Sequence, residues 1–475
     1  MRTRAFLPLA LSAALLGCGP STSDANAAPQ RIVLVVVDTL RADALPWYGA
    51  SAEAAPFLAE LAGTSSVFEK ARSTSSWTGP ATASLLTSQW PFQHGVLNGL
   101  VAARALAETG APVQTGRLPS TAPTLAEVLA GDGWRTFGVS ANPNVAAEAG
   151  FDRGFDRFVT LEGSAVAVAE AAEVWRDEYL SADRAFLYLH YMDPHAPYHL
   201  RDVQLDEATQ EALDRYLEEA PPNRPAYADD PRGLRVRHVL SAQREGRLAL
   251  STAAVTDLMR AAYASEVQFF DARFRELWER FELDSALVIV TADHGEEFGD
   301  HGGFGHEFSL FEELTHVPLC VREPGGRPAG AAARVADPVS LVDVFPTVRE
   351  FAGAPALGVE AGQDLRAPRD GARVLVAGRT ESTTDGGSRT LNAVWSDPLK
   401  WIGEAGTGAV QLYDLSSDPT ERQSLSATRT DDVQALGAAL TNLFRTAPRH
   451  EREFVETELD AERRAELESL GYLGD

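Results

Sequence analysis

The sequence has few cysteines and too few basic residues to balance its acidic ones. Its 475 residues include 2 cysteines, and 42 lysines and arginines stand against 68 aspartates and glutamates, which leaves a net charge of −26. Because a protein this acidic repels polyanions at long range, nucleic acid and an anionic lipid surface are excluded as bulk electrostatic partners. Hydrophobic content of 44% and charged content of 23% are those of a globular protein, so the composition does not indicate disorder.

The sequence also lacks an apolar run long enough to form a permanent membrane span. The apolar stretch 5–16 follows two arginines and is short, as in a secretory signal. It ends in Leu15-Leu16-Gly17-Cys18, which resembles the bacterial lipobox and implies cleavage before Cys18 and lipidation of its thiol. We therefore predict an exported lipoprotein, periplasmic or on the cell surface, tethered to the membrane by acyl chains. Cys320 is then the only other thiol, so no intramolecular disulfide is expected.

Continuous apolar runs predict the strands of a mostly parallel sheet. The first of them is rich in β-branched residues and does not alternate, as in a strand buried on both faces. Three further stretches fit strands and are separated by helical stretches, which indicates a doubly wound α/β fold. The four runs are 31–37, 134–140, 185–190 and 286–291.

The chain divides into a signal, a tether and two structured parts. Residues 1–18 are the signal peptide and lipobox, 19–30 are a small, polar tether, and 31–345 form the α/β domain. Residues 346–475 are assigned to a smaller C-terminal α+β subdomain with a helical tail. Within the α/β domain, 201–262 is polar and interrupted by prolines, and we interpret it as a partly helical surface insertion.

Polar residues stand where the predicted strands end. Asp38 follows the first strand, and Asp293 and His294 follow the last, at the sheet edge where open α/β folds bind ligands. Thr78 lies close to the start of a helix that Pro80 opens, where free N–H groups favour an anion. The side-chain oxygens of these two aspartates and of Thr78, together with the imidazole of His294, suit one divalent metal ion. The ligand set does not distinguish among Ca²⁺, Mn²⁺, Zn²⁺ and Mg²⁺. Such a cation would lower the pKa of the Thr78 hydroxyl and make it a nucleophile.

These residues belong to a series of short motifs in a characteristic order, spread from residue 31 to about 425. The motifs are Val36–Asp43 with Tyr48-Gly49, Thr78–Thr87 with His94-Gly95, Met192–Tyr198, Thr291–Glu296, Gly299–Gly302, His316–Leu319 and Leu412–Leu415 with Asp418-Pro419. The series resembles the sulfatases of the alkaline phosphatase superfamily. The resemblance implies an alkaline-phosphatase-like fold, a metal-dependent ester hydrolase and the metal and nucleophile positions named above.

Two histidines occupy places where the family has histidines or lysines that contact the substrate. By this resemblance His195 and His306 bind the substrate anion or protonate the leaving group, a role that suits a side chain titrating near neutrality. As an alternative, Asp193, His195 and His306 hold a second metal ion, as in two-metal members of the superfamily. The remaining histidines in the motifs are predicted to be structural: His94, His301 and His316.

The sequence departs from the family at the nucleophile. Family sulfatases carry Cys-x-Pro-x-Arg, whose cysteine is oxidised to formylglycine, whereas here Thr78, Pro80 and Thr82 hold these positions. No formylglycine is therefore expected. If Thr78 forms a covalent ester, water must hydrolyse that ester by attacking its phosphorus or sulfur atom. This requirement favours phosphorus esters over sulfate esters as substrates. Thr82 also replaces the arginine, and Thr39 stands where many sulfatases have a second metal-binding aspartate, so that ligand is left open.

Three functions remain open at this point. The first is a metal-dependent hydrolase that cleaves a sulfate or phosphate/phosphonate ester of a small molecule, glycan or lipid through Thr78. The second is a phospho-group transferase acting on the cell envelope from the same site. The third is a non-catalytic sulfatase-fold binding lipoprotein, favoured by the missing cysteine and arginine.

The lipid anchor is tested at its attachment residue. Cys18→Ser removes the thiol that would be acylated, so the variant should remain unprocessed or leave the membrane fraction, while Cys320→Ser should behave as the parent. Fractionation and metabolic labelling with a fatty acid measure this. A Cys18→Ser protein that is labelled and fractionates with membranes as the parent does would contradict the assignment.

Overall fold

The structure is a computed structural model that describes residues 30–97, 113–201, 203–219, 236–306, 309–368, 373–382 and 388–457. The predicted signal peptide, Cys18 and nearly all of the tether lie outside these residues. The helices are Pro56–Gly63 (α1), Thr78–Thr87 (α2), Pro91–His94 (α3), Leu125–Gly131 (α4), Ala165–Glu173 (α5), Arg176–Ser181 (α6), Glu207–Glu219 (α7), Val236–Arg244 (α8), Thr252–Arg280 (α9), Glu312–Thr315 (α10), Val344–Ala352 (α11) and Thr430–Thr446 (α12).

The described residues also form strands and short 3₁₀ turns. The 3₁₀ turns are Ala42–Ala44, Pro46–Tyr48, Ala52–Ala54, Leu283–Ser285 and Leu341–Asp343. The strands are Gln30–Val37 (β1), Ser66–Phe68 (β2), Ala71–Arg72 (β3), Val113–Arg117 (β4), Arg135–Ser140 (β5), Arg157–Thr160 (β6), Arg184–Tyr191 (β7), Leu287–Thr291 (β8), Glu297–Phe298 (β9), Phe304–Gly305 (β10), Leu319–Arg322 (β11), Arg334–Val335 (β12), Val339–Ser340 (β13), Leu375–Ser382 (β14), Ser388–Ser396 (β15), Leu399–Glu404 (β16), Val410–Asp414 (β17) and Glu453–Thr457 (β18).

A central sheet carries the strands predicted from the sequence. Among the described residues its order is β12-β2-β11-β8-β1-β7-β5-β6. The segment β8-β1-β7-β5-β6 is parallel, and β11 runs antiparallel to β8. Residues 32–37 of β1 are fully buried because helices cover both faces of the sheet. The doubly wound, mostly parallel α/β fold predicted from the apolar runs is confirmed.

The register of the parallel strands brings their carboxyl ends to one level. Val36 of β1 pairs with His190 of β7 on one side and with Thr291 of β8 on the other. His190 in turn pairs with Ser140 of β5. Residues that follow β5, β1 and β8 therefore emerge beside one another at the same sheet edge.

The segment interpreted as a surface insertion includes a part of the core. The helix α9 begins at Thr252, ten residues before the end assigned to the insertion, and continues without a break to Arg280. Val255, Leu258 and Met259 on its first turns are buried in the main core. The charged residues between them obscured this apolar face, because a helix needs only one stripe of apolar side chains to pack.

An antiparallel sheet of strands β14-β15-β16-β17 forms the smaller C-terminal unit that the sequence predicted. Most of helix α11 falls within the residues that we assigned to this unit, from 346 onward, but Val348 and Ala352 of this helix pack into the main core instead. A buried ion-pair cluster joins the sheet to the main core: Lys400 Nζ lies 3.1 Å from Glu312 Oε1 and 2.8 Å from Glu421 Oε1.

Two features bear on the predictions about cysteine and membrane. Cys320 is fully buried in β11, and burial raises the pKa of its thiol to about 12, as expected of an apolar filler. Within the described ranges, no helix combines the length and apolarity needed to cross a bilayer.

Asp271 supplies a capping contact that can be tested. Helix α1 has Ala55 at its N-cap, without a side-chain acceptor, and the carboxylate of Asp271 on α9 accepts from Phe57 N at 2.9 Å and Leu58 N at 2.8 Å instead. Asp271→Ala leaves two buried N–H groups unsatisfied and should lower the free energy of unfolding by about 2 to 4 kcal/mol. Urea denaturation measures the change.

Asp257 is the matched control because it lies exposed on the same helix. Asp257→Ala should change the free energy of unfolding by less than about 0.5 kcal/mol. Equal effects of the two substitutions would show that the contact between α9 and α1 does not stabilise the fold.

Candidate active site

Two strand ends and one helix start meet at the carboxyl edge of the central sheet. Asp38 follows β1, Asp293 and His294 follow β8, and Thr78 is the first residue of α2. All four side chains are fully buried. Trp77 is the N-cap residue, so the helix begins at Thr78, two residues before the Pro80 that was predicted to open it.

The Thr78 hydroxyl lies between a carboxylate and an imidazole. Thr78 Oγ1 is 3.2 Å from Asp38 Oδ2 and 3.4 Å from His294 Nε2. Its position in the first turn of α2 places it where helical N–H groups have no intrahelical acceptor. An oxygen that gains negative charge here is favoured by the positive end of the helix.

Asp38, Asp293 and His294 form a cluster with the spacing of metal ligands. One ligand atom from each lies within 4.8 Å of the others, and all three residues are buried. His294 Nε2 is 3.6 Å from Asp38 Oδ1 and 3.5 Å from Asp293 Oδ2. The cluster predicted from the sequence therefore comes together in space.

The orientation of His294 is fixed by its other nitrogen. His294 Nδ1 lies 2.9 Å from the carbonyl oxygen of Gly295, and since a carbonyl only accepts, Nδ1 carries the proton. The lone pair is then on Nε2, which faces the two carboxylates. Burial lowers the pKa of His294 to about 3, so the ring is neutral at neutral pH and suited to a metal.

Asp38 and Asp293 are both buried in this cluster, and the charge on either carboxylate opposes the ionisation of the other. Burial, followed by the charge of Asp38, raises the pKa of Asp293 well above its usual value. Burial also acts to raise the pKa of Asp38, but three nearby histidines outweigh it and hold that pKa below its usual value: His190, whose Nε2 lies 3.4 Å from Asp38 Oδ2, His195 and His294. A cation between the two carboxylates would remove this conflict.

The residues present fit a divalent metal ion. Asp38 Oδ1 and Asp293 Oδ2 are buried without a hydrogen-bond partner, which is costly unless another group satisfies them. The hydroxyl of Thr39 is a third buried oxygen in this condition, next to Asp38 in sequence. Two carboxylate oxygens and one imidazole nitrogen, with a hydroxyl at their side, are a donor set that several divalent ions accept.

His195 and His306 lie next to this cluster. The ring centroid of His306 is 4.6 Å from that of His294 and 5.0 Å from that of His195. His306 Nδ1 is 2.9 Å from Glu296 Oε1, and the other carboxylate oxygen of Glu296 accepts from the Tyr198 hydroxyl at 2.6 Å. A carboxylate thus holds the His306 ring in place, an arrangement that the sequence analysis did not identify.

The alternative of a second metal at Asp193, His195 and His306 stays a prediction. In the part of the chain that the structure describes, the residues grouped at metal-ligand spacing are Asp38, Asp293 and His294. One oxygen of Asp193 accepts from the N–H of Ala165 at 3.0 Å, at the start of α5. Its other oxygen is buried without a hydrogen-bond partner.

The three histidines predicted to be structural have protein partners. His94 Nε2 is 3.0 Å from Ser84 Oγ, and its Nδ1 accepts from Val96 N. His301 Nδ1 lies 2.7 Å from Glu313 Oε1, and His316 Nε2 lies 2.9 Å from the Glu69 carbonyl oxygen. These contacts are those of structural residues.

Asn142 and Arg41 contact the site but were not identified from the sequence. Asn142 Nδ2 is 2.6 Å from Asp38 Oδ2 and 3.3 Å from Thr78 Oγ1. The guanidinium group of Arg41 donates to the Glu296 carbonyl at 2.7 Å and to Asp300 Oδ2 at 2.8 Å, which ties the loop after β1 to the loop after β8. Asn142 comes two residues after a predicted strand, so the rule that selected Asp38 and Asp293 could have found it.

Thr39 is held in a strained backbone conformation. Its φ is +56°, in the left-handed region that β-branched residues avoid. The N–H of Thr39 donates to Asp293 Oδ1 at 3.3 Å, and its carbonyl accepts from the Tyr263 hydroxyl at 2.9 Å. Strain of this kind persists only where the surroundings enforce it, and it occurs preferentially at functional sites.

The chain belongs to the sulfatase family, whose model matches residues 30–354. Arylsulfatase K of Gallus gallus is 29% identical over 202 residues, which cover 39% of this chain and 37% of that protein. The chain thus aligns with well under two thirds of the length of the curated relatives that it matches.

Solved structures share the fold over most of the chain. A 2-O GAG sulfatase superposes with a TM-score of 0.65 at 16% identity, covering 88% of this chain and 92% of the other. The phosphonate monoester hydrolase of Agrobacterium radiobacter superposes with a TM-score of 0.63 at 19% identity, covering 88% of this chain and 95% of the other. The alkaline-phosphatase-like fold predicted from the motifs is thereby confirmed.

Metal binding is tested by removing one charge at constant shape. Asp293→Asn keeps an oxygen that can accept from Thr39 N and His294 N, but it removes the anionic oxygen that faces His294. The variant should lose stoichiometric metal, and its metal-free form should be at least as stable as the metal-free parent, because a like-charge contact is relieved. Elemental analysis and thermal unfolding with and without added metal measure both effects.

The exposed substitution Asp257→Asn is the control. It should keep the parent's metal content and the parent's rise in Tm on adding metal, since ligand binding stabilises only the native state that holds the site. Full metal content in Asp293→Asn would remove the cluster as the metal site.

Proposed function

We propose that the chain is a metal-dependent hydrolase of sulfate or phosphate/phosphonate esters, with Thr78 as the nucleophile. The observation that carries this proposal is the position of Thr78 Oγ1, within 3.4 Å of both Asp38 and His294 at the start of a buried helix. A hydroxyl in an ordinary capping role would not be expected to face a carboxylate and a neutral imidazole that are themselves part of a cluster with metal-ligand spacing.

A divalent cation at Asp38, Asp293 and His294 would supply Lewis-acid charge that favours the ionised hydroxyl and the anionic ester. The chain's own residues supply the rest of the reaction. Thr78 Oγ forms a bond to the central phosphorus or sulfur, and the bond from that atom to the alcohol oxygen breaks. Water then attacks the same atom and releases Thr78, so the ester yields an alcohol and an oxyacid.

His195 and His306 are proposed to handle the leaving group. One of them donates a proton to the departing alcohol oxygen and takes a proton from the attacking water in the second step. Burial raises the pKa of Glu296 to about 7. When Glu296 is ionised, it accepts from Nδ1 of His306, which leaves Nε2 as the nitrogen that can exchange a proton with the substrate. His195 Nδ1, 2.6 Å from the Ala196 carbonyl oxygen, is fixed in the same way.

Phosphorus esters are the proposed preference. A formylglycine hydrate can expel sulfate by elimination, whereas a threonine ester has no second hydroxyl on the same carbon and must be cleared by attack at the central atom. Thr82, which replaces the family's arginine, is buried and brings no charge. The fold alone does not decide, because its neighbours include both the GAG sulfatase and the phosphonate monoester hydrolase.

The alternatives are weaker. A decayed binding protein would have no need to keep Asp38, Thr78, Asp293 and His294 buried around unsatisfied oxygens, since each such oxygen costs stability. A phospho-group transferase would use the same nucleophile, and among the observations above only the proposed membrane tether would favour it. We also propose export and anchoring through Cys18, which would place the enzyme against glycan or lipid esters of the cell envelope.

The nucleophile is tested with Thr78→Ala. This variant should lower kcat/KM by about a thousandfold or more, as removal of an attacking side chain does in other hydrolases. Thr87→Ala is the matched control, since Thr87 lies at the other end of α2 and its hydroxyl bonds only to the Ala83 carbonyl among the contacts found. A Thr78→Ala enzyme as active as Thr87→Ala would contradict the assignment.

The preferred ester is tested on the parent enzyme with an aryl sulfate, an aryl phosphonate monoester and a bis-aryl phosphate that share one leaving group. At least one phosphorus ester should have the higher kcat/KM. A sulfate value at least tenfold above both, which is about 1.4 kcal/mol of transition-state preference, would show that Thr78 supports sulfate turnover better than its chemistry suggests.

A further inference from the structure

We propose that Asn142 is a catalytic residue that stabilises Thr78 Oγ when the covalent intermediate is hydrolysed. This inference rests on the proposed function, because it assigns the group that makes a threonine ester a workable intermediate. Asn142 is fully buried two residues after β5, at the same sheet edge as Asp38 and Asp293. Its side-chain amide contacts both the proposed nucleophile and a proposed metal ligand.

The orientation of the Asn142 amide is set by the protein. Asn142 Oδ1 lies 2.7 Å from Asn144 N and 3.2 Å from Asn144 Nδ2. A backbone N–H only donates, so the atom that faces it must be the amide oxygen. The amide nitrogen therefore faces the site and presents two N–H groups to it.

Among the described contacts of Asn142, its amide nitrogen has three acceptors within reach. Asp38 Oδ2 at 2.6 Å takes one, and the other lies between Thr78 Oγ1 and Met192 Sδ, both at 3.3 Å. A thioether is a weak acceptor, and an oxygen that carries negative charge is a strong one. The second N–H is therefore drawn to Thr78 Oγ as that oxygen becomes negative.

Thr78 Oγ becomes negative when it is the leaving group. In the second step a water oxygen forms a bond to the central atom, the bond between that atom and Thr78 Oγ breaks, and its electron pair goes to Oγ. The water proton goes to the histidine that had protonated the alcohol. An N–H aimed at Oγ lowers the energy of this transition state in the manner of an oxyanion hole.

The composition of the site leaves few other groups for this task. The chain has two lysines, and both are engaged elsewhere: Lys70 pairs with Asp397, and Lys400 pairs with Glu312 and Glu421. Thr82 holds the position of the family's arginine and has no charge. Asn142 therefore supplies a fixed, neutral donor at the nucleophile without adding a cation.

The test follows the covalent intermediate directly. The full enzyme is mixed with an aryl phosphonate monoester, quenched in acid, and the mass of the peptide containing Thr78 is measured alongside kcat and KM. Asn142→Ala should lower kcat by about a hundredfold, the effect of losing one such donor, and KM should fall with it because the adduct on Thr78 accumulates at least tenfold over the parent. Metal content should stay at the parent's level.

Two further variants make the test decisive. Asn142→Leu keeps the approximate size of the side chain and adds no charge beside Asp38, but it has no N–H, so it should lose activity at least as strongly even if Asn142→Ala folds poorly. Met192→Leu removes the competing sulfur at nearly constant volume and should not lower kcat.

The outcomes separate this inference from the proposed function. A parent that hydrolyses none of the three ester types, or a Thr78→Ala enzyme that remains active, would overturn the proposed function. With an active parent and an inactive Thr78→Ala, the role of Asn142 is overturned in three ways: unchanged kcat in both Asn142 variants, a lower kcat without the adduct, or a loss of bound metal that accounts for the lost activity.

Discussion

The site is organised around two buried carboxylates that repel each other. Asp38 and Asp293 are fully buried and belong to one cluster of closely spaced ligand atoms, with one oxygen on each left without a hydrogen-bond partner. Such a pair is unfavourable by itself, because burial and mutual repulsion both oppose the second charge. The surrounding groups do not let the two carboxylates move apart. Backbone N–H groups, Asn142 and the neutral His294 hold the carboxylate oxygens in place.

The fold maintains this arrangement by fixing both loops that carry it. The in-register strands β1 and β8 bring Asp38 and Asp293 to one level, and Arg41 bridges the loops that follow them. The left-handed backbone conformation of Thr39, directly after Asp38, shows that the backbone is strained beside the site. A site assembled from rigid strand ends can hold Thr78 within hydrogen-bond distance of its partners without a mobile element, which is what preorganised electrostatic catalysis requires.

The sequence predicted the elements whose signals are local. The apolar, mostly β-branched run of β1 predicted the buried sheet, and the polar residues directly after it predicted the position of Asp38 in the site. Pro80 indicated that a helix begins close to Thr78. The sequence analysis did not select Asn142, although this residue follows a predicted strand as Asp38 and Asp293 do. The contact between Glu296 and His306 was not predictable, because it depends on which loops face each other across the sheet edge. The sequence analysis also assigned the first turns of α9 to an insertion, because charged residues such as Asp257 and Arg260 stand among their apolar side chains.

The central claim is that Thr78 attacks the phosphorus or sulfur atom of an ester held beside a divalent metal. A crystal structure of the metal-loaded protein soaked with vanadate, which mimics the five-coordinate transition state, tests it most directly. The account predicts vanadium bonded to Thr78 Oγ, a metal ion coordinated by Asp38, Asp293 and His294, and the Asn142 amide nitrogen within hydrogen-bond distance of Thr78 Oγ. Vanadate bound away from Thr78, or a metal ion bound outside these three residues, would contradict it.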